Sequence, residues 1–402
     1  MYKNTVFSND IVLLLFIIPL FTPQSLSLLF GGILEKGFLL WNIMNFFILF
    51  FIFLITIKTK KKYTWSFILF WLVYLVCSIS VTSDFIKTLN TWIGTAVPII
   101  NFALLGNLLI KYSHQKFVVV INKYLTFLLT LNLLLLFIFP QGVVKLQHVF
   151  IDGRIADSFK RVNFMATDNT IVQFLIITIL FVEIRNYLYK DNNLQRKLVW
   201  MISGLTIIIL WSGTGLIGYS VFLISATLFL FPKFKKIPLS INMVYIIGLV
   251  AFLVIVVLRL QTVFEFIIVK LLKKDISLSS RTEIWDIAYS MFLKSPFIGF
   301  GNNSKGWLIE YNWYNYYAHN LILDILLQGG VIVLIGVVLI LNYSRMTLRK
   351  QPDKYLESLF ACCILAIFTL NITESQFLSI YFYIPFILAW LLSTYNPKKL
   401  SI

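Results

Sequence analysis

About twelve times along its 402 residues the chain runs through an apolar stretch of roughly the length a helix needs to cross ~30 Å of hydrocarbon. No feature constrains the fold more. In lipid, every backbone N–H and C=O of such a run must find its partner inside the segment, and a helix achieves this. The runs fall at 11–30, 38–57, 64–82, 89–110, 117–139, 169–188, 198–212, 214–231, 241–258, 319–343, 355–371 and 376–394. The expectation is an all-α polytopic integral membrane protein with about twelve transmembrane helices, 1–402 forming a single membrane domain. The first run lacks a small-residue cleavage pattern and reads as a span. The stretch 198–231 is too long for one helix and short for two. Its break, Ser212-Gly213-Thr214-Gly215, reads as a division into two short or partly re-entrant helices.

Charge orients the bundle. The net charge of +17 is spread through alternate short loops: Lys58, Lys60, Lys61 and Lys62; Lys111 and Lys116; Arg185, Lys190, Arg196 and Lys197; Lys233, Lys235 and Lys236; Arg345, Arg349, Lys350 and Lys354; Lys398 and Lys399. The other short loops offer little beyond Lys36 and Lys87. This is a topology signal rather than a nucleic-acid surface, and it places both termini in the cytoplasm. Cys77, Cys362 and Cys363 lie inside apolar runs without ligand spacing and read as small hydrophobes.

Two substantial outer segments remain, 140–168 and 259–318. Within the second, large extracytoplasmic loop, Arg259 to Lys274 mixes apolar and basic residues like a helix lying among headgroups. Ser280 and Glu283 then form a capping-box pattern. The following short helix has Ile284, Ala288, Met291 and Phe292 on one face, and Pro296 ends it.

The same loop holds the residues suited to chemistry. Arg281, one turn before Trp285, can offer a bidentate fork to phosphate, or equally pair with Glu283 or a headgroup. His319 opens the tenth span, where a neutral imidazole can act as a general base or simply cap the helix. Asn320, Asp324 and Gln328 follow at four-residue spacing, a polar stripe on one helix face. A carboxylate inside a span is costly and calls for a partner or a function. Gly299 and Gly301 permit a tight turn, either approaching a ligand or reversing the loop. The aromatics Trp307, Tyr311, Trp313, Tyr314, Tyr316 and Tyr317 suit sugar stacking and an interfacial belt alike. In the first outer segment Arg154, Lys160 and Arg161 precede Asn163 beside a span entrance. Gly213-x-Gly215-x-x-Gly218 spells a dinucleotide pattern but lacks the strand that would give it meaning. With no Asp-x-Asp and no His/Cys cluster, neither a metal nor a cofactor is expected.

Taken in order, Arg281-x-x-x-Trp285, Pro296-x-x-Gly299-x-Gly301, Ala318-His319-Asn320 and Gly329-Gly330 resemble the signature of the O-antigen ligase/polymerase superfamily. Arg154, Asn163 and Ala166 look like that family's motif entering the sixth span. The specific motifs occupy 154–166 and 281–330. The resemblance implies a metal-independent, inverting, lipid-carrier glycosyltransferase facing outward. In it Arg281 and Arg154 would hold the undecaprenyl diphosphate and His319 would deprotonate or orient the attacking sugar hydroxyl. Two positions depart from the family. Where many members carry an arginine between the seventh and eighth spans stands Thr214, and where a glycine is usual stands Asp157. Arg161 or Arg259 would then supply the missing phosphate contact.

The expected activity is a polysaccharide polymerase for capsule, exopolysaccharide or O-antigen. It would move a growing glycan from undecaprenyl diphosphate to the next lipid-linked repeat unit, among membrane lipids and with a chain-length regulator as a partner. A ligase passing the finished glycan to another acceptor uses the same donor chemistry. A lipid-linked oligosaccharide flippase is the alternative of another class, although charge at the midplane and repeated halves would suit it better.

Overall fold

The computed structural model describes residues 9–30, 32–55, 62–149, 155–190, 193–230, 238–260, 281–302, 318–350 and 354–392. These fold almost entirely as helix, and the protein is an all-α polytopic membrane protein. Among the described residues, eight helices are long and apolar enough to cross a bilayer: Ile33–Ile55, Tyr63–Ser80, Phe85–Leu108, Lys116–Ile138, Ile171–Tyr189, Gly213–Leu230, Leu321–Arg349 and Lys354–Thr373. The shorter apolar helices Asp10–Leu20, Ile241–Val257 and Ile380–Leu392, with Asn193–Leu210, fill the remaining runs.

Three local expectations change. The run 11–30 is not one helix. Asp10–Ile17 tightens into a 3₁₀ turn at Ile18–Leu20, and a separate helix, Gln24–Leu29, starts after Pro23. Proline lacks the N–H a continuing helix needs, and its ring strikes the preceding turn. The second concerns only the join between the fourth and fifth spans, both of which form as expected: where a loop is expected, the backbone is helical throughout Phe85–Ile138. A straight helix would separate residues 102 and 117 by about 22 Å. The Phe102 and Phe117 rings are 5.9 Å apart, so the chain doubles back between Leu108 and Lys116 and two arms result. The third is in the outer segment 140–168, where Val144–Val149 pairs antiparallel with Ile155–Val162. Asp152-Gly153, between the two strands in sequence, is a hairpin dipeptide. The division at 210–213 is as expected: helices Asn193–Leu210 and Gly213–Leu230 are separated by Trp211, at φ 48°, and Ser212.

Small residues let the helices approach closely, as membrane interfaces require. A Cβ on Gly218 would stand 2.3 Å from the Leu370 side chain, so the Gly213–Leu230 and Lys354–Thr373 helices meet at a bare backbone. At the end of the bundle where the basic loops lie, the buried Glu183 carboxylate accepts from Arg196 Nε (2.7 Å), Trp200 Nε1 (2.7 Å) and Tyr355 OH (2.8 Å). This knot ties three helix ends together.

The two glycine motifs turn out to be one device. Gly330, at φ 60° and ψ −162°, breaks the Leu321–Arg349 helix. Only glycine adopts that conformation readily. The break withdraws Val331 N and Ile332 N from Leu327 O and Gln328 O, their normal helical acceptors. The Pro296–Gly301 segment takes over both sides. Val331 N and Ile332 N donate to Pro296 O (2.9 Å) and Phe297 O (3.2 Å), while Phe300 N and Gly301 N donate to Leu327 O (2.6 Å) and Gln328 O (3.0 Å). Contact is too close for side chains: a Cβ on Gly299 would lie 2.5 Å from Leu327 O, and one on Gly330 2.2 Å from Phe297 O. Of the two readings of Gly299 and Gly301, the structure gives loop reversal, against a helix.

Candidate functional site

Helix Arg281–Lys294 buries Ile284, Trp285, Ala288 and Met291, whereas Phe292 is only half-buried. The Trp285 ring packs in a cluster with Val256, Ala288, Ala318, Leu323 and Leu327. Because Trp285 and Arg281 are one turn apart, seating the ring against Ala318 brings the guanidinium toward the neighbouring His319. Ser280 lies outside the described residues. Arg281 Nη2 donates to Glu374 Oε1 at 2.7 Å.

Glu374 follows the Lys354–Thr373 helix and is 4% exposed. Its second oxygen, Oε2, lies 3.5 Å from His319 Nδ1. Oε1 also accepts from Asn169 Nδ2 (2.8 Å), whose Oδ1 in turn accepts from Ser212 Oγ. One carboxylate thus joins the expected arginine, the expected histidine, the entrance of the Ile171–Tyr189 helix and the break at 210–213. Sequence reading passed over Glu374, Asn169 and Ser212. The available signal was a lone acid, in Ile372-Thr373-Glu374-Ser375, between two apolar runs on the cation-poor side.

His319 does not cap the following helix. Asn320 does, its Oδ1 accepting from Ile322 N (3.0 Å) and Leu323 N (3.1 Å), while its Nδ2 donates to Ile372 O (3.0 Å) beside Glu374. His319 itself is held at φ 49°, an uncommon conformation for a residue with a Cβ.

The other predicted cations divide. Arg154 and the aromatic run 307–317 lie outside the described residues. Arg161 Nε donates to Asp168 Oδ2 (2.6 Å), Nη1 to Pro140 O (3.3 Å) and Nη2 to Leu210 O (2.6 Å). Its guanidinium therefore sits at the very break where Thr214 leaves no cation. Thr214 Oγ1 is 3.4 Å from Thr373 Oγ1. Asn163 bonds the same Asp168 through Nδ2 (2.8 Å), and its N–H donates to Ala166 O (3.0 Å), so the Asn163–Ala166 turn presents Asp168 to Arg161. Arg259 is a brace. It donates to Val256 O (2.8 Å), Thr282 O (2.9 Å) and Asp286 Oδ1, and its guanidinium carbon stands 5.3 Å from the Trp285 ring centre.

All these groups sit at helix ends on one side of an up-and-down bundle, opposite the Glu183 knot. A guanidinium and an imidazole sharing one buried carboxylate can bind an anion and handle a proton within a few ångströms. Residues 198–338 match the O-antigen ligase family model. No curated protein matches the chain. The match is consistent with the O-antigen ligase/polymerase superfamily and covers Ser212, Arg281, Trp285, both glycine motifs and His319. It supports a glycan-transferring membrane enzyme of the ligase/polymerase kind acting on lipid-linked oligosaccharides.

Proposed function

We propose that the protein is a polysaccharide polymerase of the bacterial inner membrane, with both termini cytoplasmic and its site facing outward. The observation that carries the reading is the Glu374 carboxylate, with Arg281 on one oxygen and His319 beside the other. The acceptor hydroxyl oxygen attacks the anomeric carbon of the growing glycan, and the bond to the diphosphate oxygen breaks on the opposite face. The electron pair leaves with undecaprenyl diphosphate, and the hydroxyl proton goes to His319. Attack opposite the leaving group inverts the anomeric centre, and no metal is needed if guanidiniums neutralise the diphosphate. Charge grows on that diphosphate in the transition state, where fixed donors such as Arg281 help most. Arg154 belongs with Arg281 in this role, and Arg161, which donates to Leu210 O at the 210–213 break, would supply the cation that the family resemblance places there.

Glu374 gives His319 its working tautomer. An ionised carboxylate only accepts, so it favours a proton on Nδ1 and leaves the Nε2 lone pair for the substrate. Apo distances at such sites are often long and tighten with substrate, which suits the 3.5 Å separation.

Purified protein supplied with lipid-linked repeat units alone tests the assignment. Elongation supports the polymerase, and His319→Ala should abolish it while the protein still inserts. Activity that appears only with a different acceptor points to the ligase reading, which the description of the matching family favours.

A further inference from the structure

The polar stripe at the start of the Leu321–Arg349 helix is tied to two places: Asn320 and Asp324 reach the 372–375 turn, and Gln328 reaches another helix. Asn320 holds Ile372 O, as described. Asp324, buried one turn into the helix, accepts from Ser375 Oγ (2.6 Å) and Gln328 Nε2 (2.9 Å) on Oδ2, and Oδ1 lies 3.4 Å from Ala318 N. Gln328 Oε1 accepts from Tyr74 OH (2.6 Å), on the Lys62–Ser80 helix. Ala318 precedes His319, and Ser375 follows Glu374. One carboxylate is therefore bonded next to each member of the His319–Glu374 pair without touching either acid–base atom. His319 needs such restraint because its φ of 49° is not one a free chain would keep.

We propose that Asp324 is a positioning residue: it locks the turn carrying His319 to the turn carrying Glu374 and sets their separation. This rests on the reading of His319 and Glu374 as the site. The geometry explains why a carboxylate is kept inside the span. A neutral amide of the same shape keeps one acceptor oxygen, so whichever way it turns its NH₂ faces a donor, Gln328 Nε2 or Ala318 N, and two donors cannot bond each other. The Tyr74–Gln328 link extends the lock to a helix that carries no other part of the site, which fixes the pair against the bundle itself. Displacing a catalytic group by about 1 Å can cost ~10²-fold in rate, so modest loosening here should be visible in turnover.

The test uses Ser375→Ala, Asp324→Asn and the double variant Asp324→Asn/Gln328→Glu, in which the amide donor meets a carboxylate again. Each is purified in nanodiscs. Turnover is measured with lipid-linked repeat units from a strain lacking the protein, and affinity with undecaprenyl diphosphate itself. In a His114→Gln/His148→Gln background His319 is the sole histidine, and its acylation by diethyl pyrocarbonate reads the imidazole directly. The expected result is turnover lowered about tenfold by Ser375→Ala and at least as much by Asp324→Asn. Undecaprenyl diphosphate affinity should be unchanged, the acylation rate altered several-fold, and the double variant partly recovered. Parental turnover in folded Ser375→Ala and Asp324→Asn, or lost turnover with an unchanged acylation rate, overturns the proposal. If Asp324→Asn does not fold, Ser375→Ala decides alone. His319→Ala runs in parallel: were it active, the site reading falls and this inference with it. Were it inactive while Ser375→Ala stays parental, only this inference falls.

Discussion

Replacing Glu374 by glutamine separates the chemistry of the site from its architecture. The amide has the carboxylate's shape, and its one oxygen can stay with Arg281 Nη2 and Asn169 Nδ2, at 2.7 and 2.8 Å in the parent. The NH₂ group then occupies the position 3.5 Å from His319 Nδ1. A donor there favours a lone pair on Nδ1 and moves the ring proton to Nε2, the atom that receives the acceptor's proton in the proposed reaction. The general-base contribution, about 10²–10⁴-fold, is lost, equivalent to roughly 3–5 kcal/mol at ~1.4 kcal/mol per decade. Diphosphate binding should not suffer, because Arg281 loses an anion that competes for it. Stopped-time elongation of lipid-linked repeats gives kcat, and microscale thermophoresis with undecaprenyl diphosphate gives the affinity. The expected outcome is kcat down at least a hundredfold, Kd equal or tighter, and melting in detergent little changed. Parental kcat would refute the tautomer argument. A kcat loss matched by an equal loss of affinity would refute it too, by moving Glu374 to donor binding.

Other variants probe the frame. Glu374→Ala, unlike the glutamine change, leaves a largely buried guanidinium without its carboxylate, a loss that typically costs about 3–5 kcal/mol, so its melting temperature should fall clearly. Gly330→Ala forces a Cβ onto Phe297 and strains the backbone by about 1–3 kcal/mol; lower thermal stability and lower turnover should appear together. Arg161→Ala removes donors to Asp168, Pro140 and Leu210. If Arg161 also serves the donor substrate, undecaprenyl diphosphate affinity should drop several-fold, whereas a pure brace would leave it intact. Glu183→Gln weakens the knot at the opposite end by about 1–3 kcal/mol, read as a lower melting temperature with unchanged kcat.

The sequence displayed its membrane spans openly because lipid demands long apolar runs whatever the neighbours are. Pro19 and Pro23 could have warned that the first run would break, and Asp152-Gly153 that the outer segment would pair as a hairpin. Arg281 and His319 stood out through the order of the motifs around them, and the structure brings both to one carboxylate. Glu374 was not. Nothing local distinguishes it from any other acid in a short turn, and its meaning arises only when residue 281 arrives beside it. The glycines were visible but not their purpose, since the acceptors they expose, Leu327 O and Gln328 O, belong to a helix whose break is itself invisible in composition. The stripe of Asn320, Asp324 and Gln328 announced a buried polar face, yet periodicity cannot say that two of its members bond to the 372–375 turn and the third to Tyr74.

The splice at Gly330 has a mechanical corollary. Backbone bonds bind the Pro296–Gly301 segment to the helix that begins just after His319, and the Trp285 cluster packs the preceding Arg281–Lys294 helix with residues of that same helix. Arg281 and His319 therefore ride on a single stiff bracket. The bonds of Asn320 Nδ2 to Ile372 O and of Ser375 Oγ to Asp324 tie the Glu374 turn to the same bracket, so a strain at either end of it is felt on both sides of the carboxylate.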